Sequence, residues 1–368
     1  MAPFAHIVNR IGTPHFCCKI ENNDYRLFYQ EDINSTFHGS KWDSFRKKML
    51  KLEPIKSCQS CYDDELKGLT SLRQDFNQYY LTEHNINNPE IRDIEMAMSN
   101  KCNFKCVSCE VKFSSFWYDD EKILEKIIPR QGYDDDPQMS DSDYENFDII
   151  DSSHLLKNIN LENINTIRLL GGEPFIDNNL LNFVKKLNLQ DLTMIFTTNC
   201  SVFPKKWMTT LDEVKTFIAT FSIDGTYDIG EFVRYGFKQK VFERNLIKWL
   251  IFLENKKRKI FYHYMCGIMN VFDFENTNEY LKQFDGHVWI EMIEEPSYLN
   301  LKYLPDKTKK WILEQIENDV IEYHLWSGEY DENHCVNFLK YIFFLESHRG
   351  KLPLNIVKIS DNLIKEMY

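Results

Sequence analysis

Three cysteines at short spacing are the most chemically loaded residues in this chain. Cys102-Asn-Phe-Lys-Cys106-Val-Ser-Cys109 offers three thiolates from a single eight-residue stretch. Three is the informative number. A structural zinc site usually closes with four protein ligands. A [4Fe–4S] cluster held by three cysteines leaves one iron open to another ligand. Spacing alone keeps zinc or a purely structural role beside the cluster reading. A second stretch, Thr166-Ile-Arg-Leu-Leu-Gly171-Gly172-Glu173-Pro174, runs from apolar residues into a glycine pair, a carboxylate and a proline. Glycines let a ligand come close to the backbone, and Glu173 can accept hydrogen bonds from an ammonium group. By itself the same stretch also reads as a tight strand–helix turn, with Pro174 near the helix start.

The remaining cysteines fall into two kinds. Cys17-Cys18 and Cys58-Gln-Ser-Cys61 are grouped, and in a reducing compartment grouped thiols are more often metal ligands than disulfides. Cys58 and Cys61 open a helix, whose positive end favours thiolate. Cys200, Cys266 and Cys335 are isolated and read as small buried apolar residues. No histidine pair has metal-binding helical spacing. His263, in a strand pattern, reads as a structural histidine.

The elements that must position these residues follow a regular order. With 368 residues, 43% of them hydrophobic, the chain can bury a sizeable core in two or three domains. Residues 1–85 form a small α+β cysteine-rich region. Phe4 to Phe16 reads as strand, turn and strand with Gly12-Thr13-Pro14 as the turn signal. A helix is expected over Ser40–Leu50, where Trp42, Phe45 and Met49 share a face, and another over about Asp63–Tyr80. Residues 86–300 alternate strand and helix. Strands are expected at Ile94–Met98, Thr166–Leu170, Met194–Thr198, Phe217–Ile223, Ile260–Ile268 and Val288–Ile293, and helices at Asp177–Leu187 and Val241–Leu253 among others. Repeated βα units imply a parallel sheet. Six units are too few for an eight-stranded barrel, so a partial barrel is expected. Residues 301–368 form a helical extension, with helices at Thr308–Leu325 and Val336–Ser347. The acidic insertion Pro129–Asp148 reads as a solvated loop without EF-hand spacing.

Taken together, these residues resemble the radical S-adenosylmethionine superfamily. The Cys-x3-Cys-x2-Cys loop after the first strand of a (β/α)6 partial barrel is its signature, and a Gly-Gly-Glu-Pro turn follows the second strand. Thr198-Asn199 resembles the family's Thr-Asn turn after the third strand. Ser222-Ile-Asp224-Gly225 resembles its Ser-x-Asp-Gly turn after the fourth. Arg234, and Asn270 after the fifth strand, also match. Ser108 departs from the pattern, because many members carry an aromatic residue before the last cysteine. The stretch Cys58-x-x-Cys61-Tyr-x-x-Glu65-x-x-Gly68-x-x-Ser71-x-Arg73, with Phe4-Ala-His6 and Cys17-Cys18, is similar to the auxiliary-cluster region of twitch-domain proteins, a shortened relative of the SPASM domain. In similar sequences a further cysteine usually precedes the Pro-Phe pair; here the sequence shows Met1-Ala2 before Pro3-Phe4, which a start chosen too late would also explain.

The resemblance implies an enzyme. A [4Fe–4S] cluster on Cys102, Cys106 and Cys109 would reductively cleave S-adenosylmethionine, and the resulting 5′-deoxyadenosyl radical would take a hydrogen from a peptide or peptide-like substrate. Gly171, Gly172, Glu173 and Pro174 would hold the cofactor's amino group. Asn199, Ser222, Asp224, Arg234 and Asn270 would line its site, with Ser222 and Arg234 at the carboxylate or ribose and Arg244 as a rival arginine. Cys17, Cys18, Cys58 and Cys61 would carry an auxiliary iron–sulfur cluster. A small polar metabolite is the alternative substrate. A non-catalytic iron–sulfur or zinc redox sensor is the alternative class. An electron donor such as flavodoxin or ferredoxin is implied as a partner.

Composition limits the other partners. The formal net charge is -12, which argues against neutralising nucleic-acid phosphates. The basic run Lys256-Lys257-Arg258-Lys259 reads as a solvated turn after a helix. No stretch reaches the ~18 apolar residues of a membrane span, and no secretion signal opens the sequence, so a cytoplasmic location is expected.

Overall fold

The computed structural model describes residues 5–10, 13–15, 17, 32–68, 70–80, 86–111, 113–128, 156 and 158–367. Cys18, the Gly12 turn position, Phe4, Phe16 and the acidic insertion after Ile128 lie outside the described residues. Ten strands are described: β1 His6–Arg10, β2 Thr13–His15, β3 Asp93–Ala97, β4 Lys105–Cys106, β5 Thr166–Leu169, β6 Thr193–Thr198, β7 Thr216–Ser222, β8 Arg234–Tyr235, β9 Lys257–Cys266 and β10 His287–Met292. All six strands expected in the middle region are present, with ends shifted by three residues or fewer.

The chain forms two compact units, 1–101 with 133–196 and 204–218, and 102–132 with 197–203 and 219–368. They cut across the three regions read from the sequence. The reason is local: β1 pairs parallel with β3, His6 opposite Asp93, so the N-terminal strand joins the sheet of the middle region.

In the first unit, β2-β1-β3-β5-β6 lie side by side and the start of β7 follows β6. The pairs β1–β3, β3–β5 and β5–β6 are parallel, and β1–β2 is the expected antiparallel hairpin. Alternation sets the two faces. Ile7, Ile94, Met96, Ile167, Leu169, Met194 and Phe196 are fully buried on one face. The other face carries charge. Asp93 is buried beside His6 Nδ1 at 3.2 Å and takes a forked pair of hydrogen bonds from Arg168, at 2.9 Å and 3.1 Å. Burial alone would raise the Asp93 carboxyl; His6 and Arg168 outweigh it and hold it well below the usual carboxylate range.

The helix Ser40–Leu50 forms as expected, but Asp63–Tyr80 is two helices, Gln59–Leu66 and Leu72–Tyr80. Gly68 breaks them with a left-handed φ of 78°. Across the break, Ser71 Oγ and the Arg73 guanidinium both donate to the Glu65 carboxylate.

In the second unit, β10-β9 and the end of β7 lie in sequence, β10 parallel to β9, and β4 pairs antiparallel with β8. Tyr262, Tyr264, Cys266, Ala219 and Phe221 fill the core with Trp249 and Leu246 of the helix Gln239–Leu253. Lys257–Lys259 do not form a solvated turn: they open β9, and Arg258 donates to Leu253 O and Asp285. The expected helix Thr308–Leu325 is also two, Asp306–Leu313 and Asp319–Leu325, because Asn318 caps the second by accepting from the backbone of Val320 and Ile321. The helices Glu332–Arg349 and Leu354–Met367 complete the extension; the second was not foreseen. No helix among the described residues is long and apolar enough to cross a membrane.

Candidate metal and cofactor site

In the first unit, the glycine turn has a backbone reason for its composition. Gly171 has a φ of 112°, and a Cβ there would stand 2.9 Å from Ser99 O. A Cβ on Gly172 would stand 2.1 Å from Lys101 O, which no side chain tolerates. The glycines admit the chain at Ala97–Lys101, the stretch that leads directly into Cys102. Glu173 N donates to Lys101 O at 2.8 Å, and Ser99 Oγ donates to Asp177 at 2.7 Å. Glu173 is buried, and its carboxylate accepts from Phe175 N at 3.3 Å, capping the short turn Pro174–Ile176. Pro174 sits at the helical start that its fixed φ favours.

The second unit holds the cysteine loop together with five of the other expected site residues. Cys106 stands opposite Arg234 in the β4–β8 pair, and Val107 N donates to Val233 O at 2.8 Å. Asn199 Nδ2 lies 3.8 Å from Cys102 Sγ and 3.1 Å from Asn103 Oδ1, while Ser201 N donates to Asn199 Oδ1 at 2.9 Å. Asn199 therefore ties the turn after β6 to the start of the loop. The Cys109 thiol senses the other two. Burial first, then Cys106 and Cys102, push the Cys109 thiol well up; burial also raises Cys106, against the pull of Arg234. Such thiols ionise only with positive charge beside them. Among the described residues, no three His, Cys, Asp or Glu side chains are gathered as ligands of one ion.

Arg234 is the buried cation of this site. Its Nη1 donates to Asp224 Oδ2 at 2.7 Å, while its Nε is buried and meets no protein acceptor among the described residues. Burial would lower its pKa; Asp224 and Cys106 outweigh this and hold it above its ordinary value. Asp224 is fixed in turn, its Oδ1 accepting from Met265 N at 3.0 Å. Ser222 is buried at the end of β7.

Asn270 is used differently from expectation. Its Nδ2 donates to Asp224 O and Met265 O, both at 2.8 Å, and its Oδ1 accepts from Gly267 N at 2.8 Å. The amide is committed to the protein, so Asn270 shapes the turn that carries Asp224. Cys200, Cys266 and Cys335 are buried, as read from the sequence.

In the first unit, Cys58 caps the helix Gln59–Leu66 and Cys61 is buried within it. Burial and the neighbouring Cys61 push the Cys58 thiol up to about 11, against the pull of Arg73. Cys17 is half-buried.

Sequence reasoning missed two groups in the second unit. Trp117, Tyr341 and Arg349 reach the carbonyls of the cysteine loop; the expected helix Val336–Ser347 held Tyr341 and stopped short of Arg349. On β9 and β10, His263 stacks on Trp289 at 4.6 Å and lies 2.9 Å from Glu291.

No family model matches the chain, and no curated protein matches it. Solved structures overlap parts of it. One is native anSMEcpe with bound AdoMet and Cp18Cys peptide, at 18% identity and TM-score 0.35 over 56% of this chain and 52% of that one. Another is SuiB of Streptococcus suis bound to precursor peptide SuiA, at 13% identity and TM-score 0.35 over 86% and 66%. A third is TYW1 with a lysine-pyruvate adduct bound, at 14% identity and TM-score 0.31 over 59% and 73%. The chain spans about half the length of the first of these. Overlaps at such TM-scores carry no argument about what this chain does.

Proposed function

We propose that this chain is a radical S-adenosylmethionine enzyme acting on a peptide or peptide-like substrate. The observation that carries the reading is the cysteine loop in its setting: three thiols on one short loop, with the buried Arg234 opposite Cys106 in the β4–β8 register and its guanidinium held by Asp224. The donor set suits a [4Fe–4S] cluster. Three thiolates on one loop need positive compensation, and Arg234, which interacts with Cys106 and Cys102, supplies it with its buried Nε meeting no protein acceptor among the described residues. Cys102, Cys106 and Cys109 would hold the cluster, whose bound form supplies the electron that cleaves S-adenosylmethionine and so starts hydrogen abstraction.

The chain's own residues do the positioning. Asn199 orients the Cys102 end of the loop, and Asp224 holds Arg234 in place for an anionic group such as a carboxylate. Ser222 stands two residues before Asp224 and remains a cofactor contact in this reading. Gly171, Gly172, Glu173 and Pro174 present a rigid turn bonded to the residue before Cys102, suited to an ammonium group. Asn270 serves as support for Asp224. The peptide class rests on the likeness of the Cys58–Arg73 stretch to auxiliary-cluster proteins. Of that proposed ligand set, Cys58 and Cys61 are near one another.

The test is direct. Protein purified without oxygen and reconstituted with iron and sulfide, given S-adenosylmethionine and a strong reductant, is expected to release 5′-deoxyadenosine. Stoichiometric zinc in place of iron, or iron without any 5′-deoxyadenosine, would overturn the reading.

A further inference from the structure

Four successive carbonyls of the cysteine loop accept hydrogen bonds from side chains, all within the second unit. Phe104 O accepts from Ser114 Oγ at 2.6 Å, and Lys105 O from Arg349 Nη2 at 2.7 Å. Cys106 O accepts from Trp117 Nε1 at 3.0 Å, and Val107 O from Tyr341 Oη at 3.3 Å. Two of the four donors, Tyr341 and Arg349, come from the helix Glu332–Arg349, more than 230 residues downstream. Arg349 also donates through Nη1 to Phe232 O at 2.7 Å, so one guanidinium bridges the loop and the segment that enters β8. It lies over the rings of Trp117 at 5.2 Å and Tyr235 at 5.4 Å. Gly236 makes room for this packing: a Cβ there would stand 2.7 Å from the Phe104 ring and 2.8 Å from Asn103 O.

Loops normally leave their carbonyls to water. Here each carbonyl from 104 to 107 is taken by a fixed donor, and two aromatic rings cover the guanidinium. A planar fork can hold two carbonyls at once, which a lysine ammonium does not reproduce with the same geometry. Arg349 is part-buried, and positive charge beside a cluster ligand favours the more negative, reduced state.

We infer that the helix Glu332–Arg349 is a clasp on the cysteine loop, with Arg349 as the positioning residue that fixes the loop's backbone and raises the reduction potential of whatever cluster the loop carries. The potential half of this inference rests on the proposed cluster. The backbone half does not.

The experiment reads both halves. Amide hydrogen exchange over residues 103–110 is followed in metal-free protein, and the midpoint potential is measured by redox titration after reconstitution. In wild type the loop amides are expected to be protected. Arg349→Gln is expected to speed their exchange at least tenfold, with β6 and β9 unchanged, and to shift the potential to more negative values. Arg349→Lys is expected to speed exchange likewise but to hold the potential near wild type, because it keeps the charge and loses the fork. Tyr341→Phe removes one hydrogen bond and is the milder variant should Arg349→Gln not fold; a smaller rise in exchange is expected. Loop amides that exchange freely in wild type, or at an unchanged rate in every variant, would overturn the clasp. An unchanged potential in Arg349→Gln would overturn the electrostatic half. Wild-type protein that takes up no iron while the variants still lose loop protection would sink the cluster and uphold the clasp.

Discussion

The chain carries two short-spaced cysteine groups, and their surroundings differ in kind. Around Cys102–Cys109 the fold places charge: the buried Arg234 and the part-buried Arg349 lie beside the loop, Asp224 holds Arg234, and Asn270 supports Asp224. Around Cys58–Cys61 the charged residues of the motif turn to one another. Glu65, Ser71 and Arg73 staple the break between two helices, and the Cys58 thiol is left with a raised pKa. Short-spaced cysteines thus stand beside a buried ion pair in one place and beside a helix junction in the other. The cation nearest the first group, Arg234, is buried, whereas the one beside Cys58, Arg73, is part-exposed.

The largest effect that can break this comparison is on chemistry. Replacing Cys102, Cys106 and Cys109 by Ala is expected to abolish 5′-deoxyadenosine release, with that cluster's iron lost by colorimetric assay. The double variant Cys58→Ala, Cys61→Ala is expected to retain release in the absence of substrate. Equal loss in both would put the two groups on the same footing.

Next comes the buried ion pair. Asp224→Ala leaves the Arg234 guanidinium without its partner, and breaking a buried pair from one side costs about 3–5 kcal/mol. Denaturant unfolding monitored by fluorescence is expected to show a loss of that size. A loss below ~1 kcal/mol would mean the pair is solvated.

Two glycines sharpen the contrast at smaller scale. Gly172→Ala must move the backbone at Lys101, since the added Cβ falls 2.1 Å from a carbonyl oxygen, and is expected to cost about 1–3 kcal/mol. Gly68→Ala meets nothing within 4 Å and pays only for its left-handed φ, about 1–2 kcal/mol. Thermal unfolding of both, with iron content after reconstitution, checks this: only Gly172→Ala is expected to lower loading.

The smallest effect is the pH response of the helix staple. Hydrogen bonds from Arg73 and Ser71 lower the Glu65 pKa below its usual value. A carboxylate with a depressed folded-state pKa stabilises above its unfolded pKa of about 4.3, and that stability is lost as pH falls through the folded pKa. Glu65→Gln is therefore expected to destabilise by ~1 kcal/mol at pH 7 and to make no difference well below pH 4, by unfolding at both pH values. An equal difference at both pH values would remove the ion pair from the account.

The sequence by itself determined most of the strands and the candidate residues. Apolar alternation is a local property, so six of the eight strands described in the middle region were legible to within three residues, as were the loop at Cys102 and the turn at Gly171; the two-residue strands β4 and β8 are too short to alternate. Helix breaks at Gly68 and Asn318 were not, because each depends on a single capping interaction inside a continuous helical pattern. Partnership was decided only by tertiary structure. That β1 joins β3 through His6 and Asp93, that Asn270 supports Asp224, and that Gly172 is required by a carbonyl are facts about residues distant in the chain. Arg349 is the clearest case. Nothing in a helical pattern marks one arginine near its end, and only folding brings its guanidinium to Lys105 O, because hydrogen bonds between distant segments leave no periodic trace in sequence.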